Sequence, residues 1–468
     1  MDCKVYRLEL RYKGKGSLDL WGRMDMRSYL ILGMCAVFII QYFAQIHWLQ
    51  YMVVIMALLA FVGSVGKADR FPRMLGAVMM TSGMVIEWNK GTGIEGINQG
   101  IYLILPLICL ITLAPLLSIP LKISGYFESV SILLRKLLNQ PKKLYAGITG
   151  TLFFLTPILS LASVRILNEF IEDLKLPSAI SAKGYLVGFT TALTWSPYFA
   201  SVSLVLHYLN VPFSEYILYG LGLSLLSLIV GNVLFAFWEK RHPLKTESNS
   251  VVDLHREHRM NLMKLGFLVV LLMCTCLFIE QLTNWSMIVI VCLLSSIIPI
   301  LFAIKPANRE TMRPLLVDFR DRTVPMMNNE VMLFMSAGML AFALQGTSFA
   351  YKVSSNLAVL ANQSFFLFAI AVMLIVLAIT YIGIHQIAAI GALAMQLNAA
   401  ELGMTDIGLA MLLLLTWVVS TALSPFSGLN LMISRFSGIS GFRLGLSTNG
   451  LHLSIVAIIG IAIISFIA

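Results

Sequence analysis

Charged residues are scarce in this chain: they make up 12% of its 468 residues, while hydrophobic residues make up 58%. Soluble proteins carry about 25% charged residues, so this composition excludes a water-soluble protein. The apolar runs extend over about 17 to 25 residues, whereas the strands of a membrane barrel alternate over about 10 residues. The sequence therefore predicts an all-α polytopic membrane protein with no nucleic-acid partner.

Acidic residues are absent from the middle of every apolar run, and Glu87, Glu280 and Glu330 lie at predicted helix ends. Proton antiporters and pumps usually need a carboxylate within the membrane, so Na⁺/H⁺ antiport is disfavoured. Walker motifs, channel filters and catalytic groupings are also missing, and five of the six cysteines lie within apolar runs without metal-ligand spacing. We therefore expect no enzyme activity, no cofactor and no metal beyond a possible Na⁺.

Thirteen apolar stretches divide into two kinds. Two of them, 143–171 and 364–400, carry polar residues near their middle and are predicted to be re-entrant hairpins. The other eleven have the length of membrane spans. We place these spans at 28–44, 48–66, 71–88, 98–118, 184–207, 212–238, 263–281, 284–303, 328–348, 406–433 and 448–467.

The distribution of basic residues tests this topology. With the N-terminus in the cytoplasm, the predicted inner segments hold 30 of the 33 Lys and Arg residues. Counting either hairpin as a crossing moves basic segments to the outside, against the positive-inside rule. The first 27 residues lack a signal-peptide cleavage site. We therefore predict a cell-membrane protein with a cytoplasmic N-terminus and an external C-terminus.

The two halves of the chain resemble each other. The stretch 191–199 contains Thr-Ala-Leu and Ser-Pro, and so does 421–428. Each lies in the span after a hairpin, and the two spans run in opposite directions. We predict a tail (1–27), a leading span (28–47), an inverted repeat (48–238, with hairpin 143–171 and broken span 184–207), a linker (239–262) and a second repeat (263–468, with hairpin 364–400 and broken span 406–433).

Proline interrupts both predicted broken spans. Proline cannot donate a backbone hydrogen bond and crowds the preceding turn, so carbonyls upstream of each break are freed. In transporters, such breaks lie near the bilayer midplane and contact substrate or Na⁺. Kinking and packing of membrane helices is the alternative role of these residues. The candidate site comprises Thr156, Ser160, Ser163, Thr194, Ser196, Pro197, His385, Gln386, Thr421, Ser424, Pro425 and Asn430.

In this arrangement the chain resembles the ion transporter superfamily, and in particular its divalent-anion/sodium symporters and arsenite and citrate permeases. The resemblance is best over 328–433, where an Ala-Gly pair lies in 329–339 and Thr-Ala-Leu-Ser-Pro follows the hairpin. It implies an elevator-type transporter, usually a homodimer, coupled to Na⁺ or H⁺. The dicarboxylate symporters carry Ser-Asn-Thr at both hairpin tips, where this chain has Thr156-Pro157 and His385-Gln386. A dicarboxylate substrate is therefore not implied.

The leading hypothesis is a permease for a small polar or anionic solute. The alternative is a membrane-embedded factor of lipid-linked envelope polymer metabolism, either a lipid translocase or an enzyme. That alternative predicts a lipid-open groove lined by several Arg or His residues.

Overall fold

The computed structural model describes residues 26–172, 176–243 and 255–467, and every regular element within these ranges is a helix. The predicted tail at 1–27 lies outside the described residues except for its last two, as does much of the predicted linker. The expected all-α class is confirmed for the described part of the chain.

Residues 26–172 and 176–243, as described by the structure, form eleven helices, with a 3-10 turn (Ala114–Leu117) after the fourth. Their bounds are α1 (Met26–Ala44), α2 (His47–Val65), α3 (Arg70–Asn89), α4 (Gly93–Leu113), α5 (Ser118–Ile123), α6 (Tyr126–Lys136), α7 (Pro141–Leu159), α8 (Ala162–Ile171), α9 (Ser178–Thr191), α10 (Ala200–Leu209) and α11 (Phe213–Arg241).

The described residues 255–467 form eleven further helices, with π-helical turns at Phe319–Thr323 and Arg443–Thr448. Their bounds are α12 (Arg256–Thr283), α13 (Met287–Ala303), α14 (Pro306–Asp318), α15 (Val324–Met326), α16 (Asn328–Leu344), α17 (Ser348–Gln363), α18 (Phe365–Tyr381), α19 (Gln386–Gln396), α20 (Asp406–Leu423), α21 (Gly428–Ser437) and α22 (Asn449–Ile464).

Several of these helices can cross a membrane. Within the described ranges, seven helical stretches are long and apolar enough, and a pair bent by 53° (308–326 with 328–344) raises the number to eight. The protein is therefore a multi-pass helical membrane protein. The seven stretches are 26–44, 47–65, 93–123, 213–241, 256–283, 406–437 and 443–464.

Some predicted spans are not among these seven stretches, because the helices that form them are too short, too polar or interrupted. Helix α3 has 20 residues but includes Arg70, Arg73 and Glu87, and α13 has only 17 residues. The span at 184–207 is split into α9 and α10, and the span at 328–348 belongs to the bent pair. The number of eleven crossings stays a prediction.

Helix α17 covers the stretch between the predicted span at 328–348 and the predicted hairpin at 364–400, which is too polar for a span and for which the sequence predicts no element. It begins at an N-cap, Thr347, whose hydroxyl accepts a hydrogen bond from the backbone N–H of Ala350. Such a cap satisfies one of the donors left over at a helix start.

The helix ends collect on two faces. Tyr42 in α1 accepts a hydrogen bond from Ser286 N before α13, and Glu280 in α12 accepts one from Phe213 N in α11. The far ends of these four helices therefore lie together on the other side. We call that side the basic face, because Arg27, Arg241 and Arg256 are there, and the side with Glu280 the opposite face.

Candidate functional site

Two broken helices cross at the centre of the protein. Helix α9 continues into a 3-10 turn (Ala192–Thr194) and stops before Pro197, and α20 stops before Pro425. Helix α9 packs against α21 and α10 packs against α20, so the first part of each broken pair lies beside the second part of the other. The two pairs are thus antiparallel, as the predicted inverted repeats require.

In the first break, which we define as residues 192–199, the freed carbonyl groups have partners within the protein. The carbonyl oxygen of Leu193 accepts a hydrogen bond of 2.8 Å from the Ser201 hydroxyl. The carbonyl oxygen of Thr194 accepts one of 2.8 Å from the Tyr216 hydroxyl on α11. Thr194 itself donates to the Gly220 carbonyl at 3.2 Å. The bonds of Tyr216 and Gly220 fasten the break to α11.

The second break, residues 422–427, repeats this pattern. The Asn430 side-chain amide donates to the carbonyl oxygens of Ala422 at 2.7 Å and Ser424 at 2.8 Å. The Tyr381 hydroxyl donates to the Leu423 carbonyl at 3.2 Å. In both breaks a side chain eight residues downstream and a tyrosine from a neighbouring helix satisfy the carbonyls. We expected those carbonyls to face a ligand, and in this state the protein's own donors occupy them.

A glycine lies against each break. A Cβ on Gly220 in α11 would clash with the carbonyl oxygen of Thr194. A Cβ on Gly445, in the π-helical turn before α22, would lie 2.8 Å from the Leu423 carbonyl oxygen and 3.0 Å from that of Ala422. The close approach of the following helix to each break therefore requires glycine.

The first hairpin stretch folds as α7 and α8, joined at Ser160, whose φ of 50° is unusual for a residue with a side chain. Thr156 and Ser163 face each other across the turn, with their hydroxyl oxygens 2.9 Å apart. The Ser163 hydroxyl also donates to the Ser160 carbonyl at 2.7 Å. These three predicted site residues therefore bond mainly to one another and close the turn.

The first hairpin contacts both broken helices. The Leu161 side chain lies 3.4 Å from where a Cβ on Gly428 would be, at the start of α21. The Phe153 ring stacks on the Trp195 ring at a centroid distance of 5.1 Å. The turn of the first hairpin thus meets the start of α21, directly after the second break, and α7 meets the first break.

The second hairpin stretch folds as α18 and α19, with its turn at 382–385. The Gln386 amide donates to the Thr421 hydroxyl at 2.8 Å, and the Ser424 hydroxyl donates to the Thr380 carbonyl at 3.1 Å. These bonds join the second turn to the second break. His385 lies beside Gln386 but points away from the second break. Its ring centroid is 5.6 Å from that of Phe334 on α16, and its Nδ1 accepts a hydrogen bond from the backbone N–H of Ile387 in α19.

Two buried polar atoms at the breaks have no hydrogen-bond partner among the described residues: Trp195 Nε1 and Asn430 Oδ1. Trp195 is 4% exposed and Asn430 is fully buried. A buried indole N–H usually has an acceptor, so these atoms are the donor and acceptor that a polar solute can use. Sequence reasoning missed Trp195. Its position directly before Ser196-Pro197 was the available signal.

Two cavities lie on opposite faces of the broken helices, and the smaller of the two reaches the first break. A cavity of about 850 Å³ lies between α8, α9 and α21 and includes Arg165, Glu169 and Arg435. A second cavity, of about 440 Å³, includes Pro197 of the first break, Ser203 and Glu280 on the opposite face. The crossed helices therefore lie between the two cavities and separate them.

Neither a protein-family model nor a curated protein sequence matches this chain. Within the described residues, no group of three or more His, Cys, Asp or Glu side chains lies close enough to hold a metal ion. The contacts of the crossed breaks are therefore the basis for a functional proposal.

Proposed function

We propose that this protein is a secondary active transporter for a small polar or anionic solute, located in the cell membrane. The observation that carries the proposal is the matched pair of antiparallel broken helices, with the turns of both hairpins beside the second pair and α7 of the first hairpin stacked on the first break. Interrupted helices of this kind place backbone ends and polar side chains where transporters bind their substrates. Ordinary kinking would not require the same carbonyl-capping pattern in both halves.

The contacts also support re-entrant hairpins. In the first hairpin, Tyr145 on α7 and Asn168 on α8 lie at the same level, since both contact the Gly184-Tyr185 pair of α9. In the second, Gln345 at the end of α16 donates to the carbonyl of Met395 near the end of α19. The first contact places both arms of its hairpin beside one stretch of α9, and the second places the end of its hairpin beside the end of α16, which supports a re-entrant course for each. We propose eleven crossings, with the basic face in the cytoplasm and the C-terminus outside.

The two cavities supply the route. In the proposed orientation, the 850 Å³ cavity opens to the cytoplasm and the 440 Å³ cavity opens outside. An elevator movement of the hairpins and broken helices exposes the same site to each side in turn. The N-terminus of α21 faces the second break with its first N–H groups and its positive dipole end, which favours an anionic solute.

Na⁺ or H⁺ provides the driving force in this proposal, and the protein acts as a homodimer. Because the carbonyls of both breaks accept internal hydrogen bonds, binding of solute and ion requires that some of these bonds be exchanged. That exchange gives each ligand a differential affinity for two conformations, which coupling requires.

A thermal-stability screen tests the proposal. The purified protein is titrated with organic anions and polar solutes while Na⁺ and pH are varied separately. A ligand that binds the native state raises its melting temperature, by an amount set by ligand concentration and affinity. We expect one solute class to stabilise the protein only when Na⁺ is present or only within a defined pH range. Stabilisation by no solute under any ionic condition would contradict the proposal.

A further inference from the structure

A third cavity lies on the basic face, away from both breaks. It has a volume of about 330 Å³ and is formed between α9, α11 and α22. Its lining includes Lys183, Trp238, Arg241, His242, Thr448 and His452. None of the candidate transport residues lines it, so it is separate from the site described above.

The lining of this basic cavity carries positive charge. The Lys183 ammonium donates to the Thr448 carbonyl at 2.6 Å and lies 5.6 Å above the Trp238 ring. Arg241 and His242 follow at the end of α11. Among its described lining residues there is no Asp or Glu. The nearby Glu239 instead pairs with Lys142 at 3.5 Å. The cavity therefore suits an anion.

One buried polar atom in the cavity lacks a partner. His452 is 5% exposed, and its Nε2 lies 3.3 Å from the Ser227 hydroxyl. Its Nδ1 has no hydrogen-bond partner among the described residues. Leaving a buried polar atom unpaired costs free energy, so a ligand that bonds to it gains affinity.

The rim of the cavity is apolar and faces outward. Phe237 is 61% exposed and Leu451 is 67% exposed, and each lines the cavity at one edge. Both lie on helices that are long and apolar enough to span a membrane. Exposed apolar side chains on such helices face lipid chains. A ligand in the cavity would thus have its charged end among cations, while the rest of the ligand would lie beside the lipid chains at the rim.

We propose that this cavity binds the phosphate headgroup of an anionic phospholipid, with the acyl chains along Phe237 and Leu451. Basic cavities between membrane helices at the cytoplasmic side recognise anionic headgroups in this way. The shared chemistry, a phosphate among cations, also fits free phosphate, but the apolar rim favours a lipid. The inference rests on the membrane-spanning helices and the cavity, and it does not depend on the proposed transport function.

Bound lipid would act on the second break through one wall of the cavity. Thr448 ends the π-helical turn that begins at Arg443, and Asn449 donates to the Leu444 carbonyl at 2.9 Å. Gly445, which follows Leu444 within this turn, packs against the carbonyl oxygens of the second break. A headgroup held by Lys183 and Arg241 therefore fixes this turn in place.

Lipid binding to the full-length protein in detergent tests the inference, by native mass spectrometry and by thermal stability. The probes are phosphatidylglycerol, phosphatidylcholine and inorganic phosphate. We expect phosphatidylglycerol to bind and stabilise, with little effect of phosphatidylcholine or phosphate. Equal effects of the two lipids would overturn the proposal. Equal stabilisation by phosphate would identify a phosphate site and overturn the lipid assignment.

Three variants locate the site. Arg241→Gln and Lys183→Gln each remove a cation from the cavity, and we expect phosphatidylglycerol affinity to fall by about tenfold or more, as for loss of a charge-assisted bond. Lys122→Gln removes an exposed lysine outside the cavity and leaves affinity unchanged. Lys183 also donates to the Thr448 carbonyl, so its loss could prevent folding. In that case the result for Arg241→Gln decides the test. Equal weakening by Lys122→Gln would show a non-specific charge effect and overturn the proposal.

Discussion

The side-chain amide of Asn430 donates to the carbonyl oxygen of Ala422 at 2.7 Å, across the proline break that separates α20 from α21. The corresponding bond in the first half runs from Ser201 to Leu193, with the same separation of eight residues. Each break is thus held by a side chain from the first turns of its second helix. The positions of these donors fix the angle at which each broken helix resumes.

Asn430→Asp is expected to destabilise the second break. The substitution places a carboxylate where an amide now donates to the carbonyl oxygens of Ala422 and Ser424. Leaving a buried carbonyl without a donor costs roughly 1–3 kcal/mol, and repulsion adds to this loss. The melting temperature of the purified protein measures the effect.

Asn398→Asp is the matched control for that substitution. Asn398 is exposed and uses its Oδ1 to accept a bond from Ala400 N, which an aspartate can also accept. We expect its melting temperature to equal that of the unsubstituted protein. Equal losses in both variants would mean that Asn430 does not hold the break.

Gly445→Ala is expected to push α22 away from the second break. Its new Cβ would lie 2.8 Å from the Leu423 carbonyl oxygen, which is backbone and cannot move aside freely. Overpacking of this kind typically costs about 1–3 kcal/mol. Gly450→Ala is the control, because the nearest atom to its Cβ would be 3.8 Å away. A Gly445→Ala protein as stable as the Gly450→Ala protein would show that the contact is not tight.

Trp195→Phe separates a structural role from a binding role. Phenylalanine keeps an aromatic ring for stacking on Phe153 and removes the Nε1 donor, which has no partner among the described residues. The smaller ring leaves a cavity at this buried position, which lowers stability, while loss of an unpaired buried donor partly offsets that cost. We expect a modest fall in melting temperature together with clearly weaker solute binding. Lower stability with unchanged solute affinity would contradict the assignment of Trp195 to the solute site.

Ser160→Gly is expected to stabilise the first hairpin. Ser160 has φ 50° and ψ −139°, a combination that glycine adopts readily and other residues avoid at a cost of roughly 1–3 kcal/mol. Ser355→Gly is the control: Ser355 lies within helix α17, where glycine costs about 0.5–1 kcal/mol. Chemical or thermal unfolding should therefore move in opposite directions for the two variants. A loss of stability in both would show that the backbone at Ser160 is not strained.

Local rules accounted for the positions of the breaks and turns. Pro197 and Pro425 end their helices because proline removes a backbone donor, and this is visible in the sequence alone. The hairpin turns were placed by polar residues in apolar stretches. Helix α17 was missed because it is too polar for a span, and its cap depends on one residue, Thr347.

Long-range partners lay beyond sequence reasoning. Tyr216 and Tyr381 donate to the break carbonyls from helices that are distant along the chain, and no local pattern marks either residue. The same holds for Gly220 and Gly445, whose role follows from packing. Most of the predicted site residues meet at the breaks or turns. The sequence could not show that their polar groups bond mainly to one another.

The most direct test of the central claim is uptake of the stabilising solute by proteoliposomes under an imposed Na⁺ or pH gradient. We predict accumulation above the external concentration, lost when the gradient is collapsed, impaired in Asn430→Asp and retained in Asn398→Asp. Solute that binds the protein yet never accumulates above its external concentration under either gradient would contradict the account.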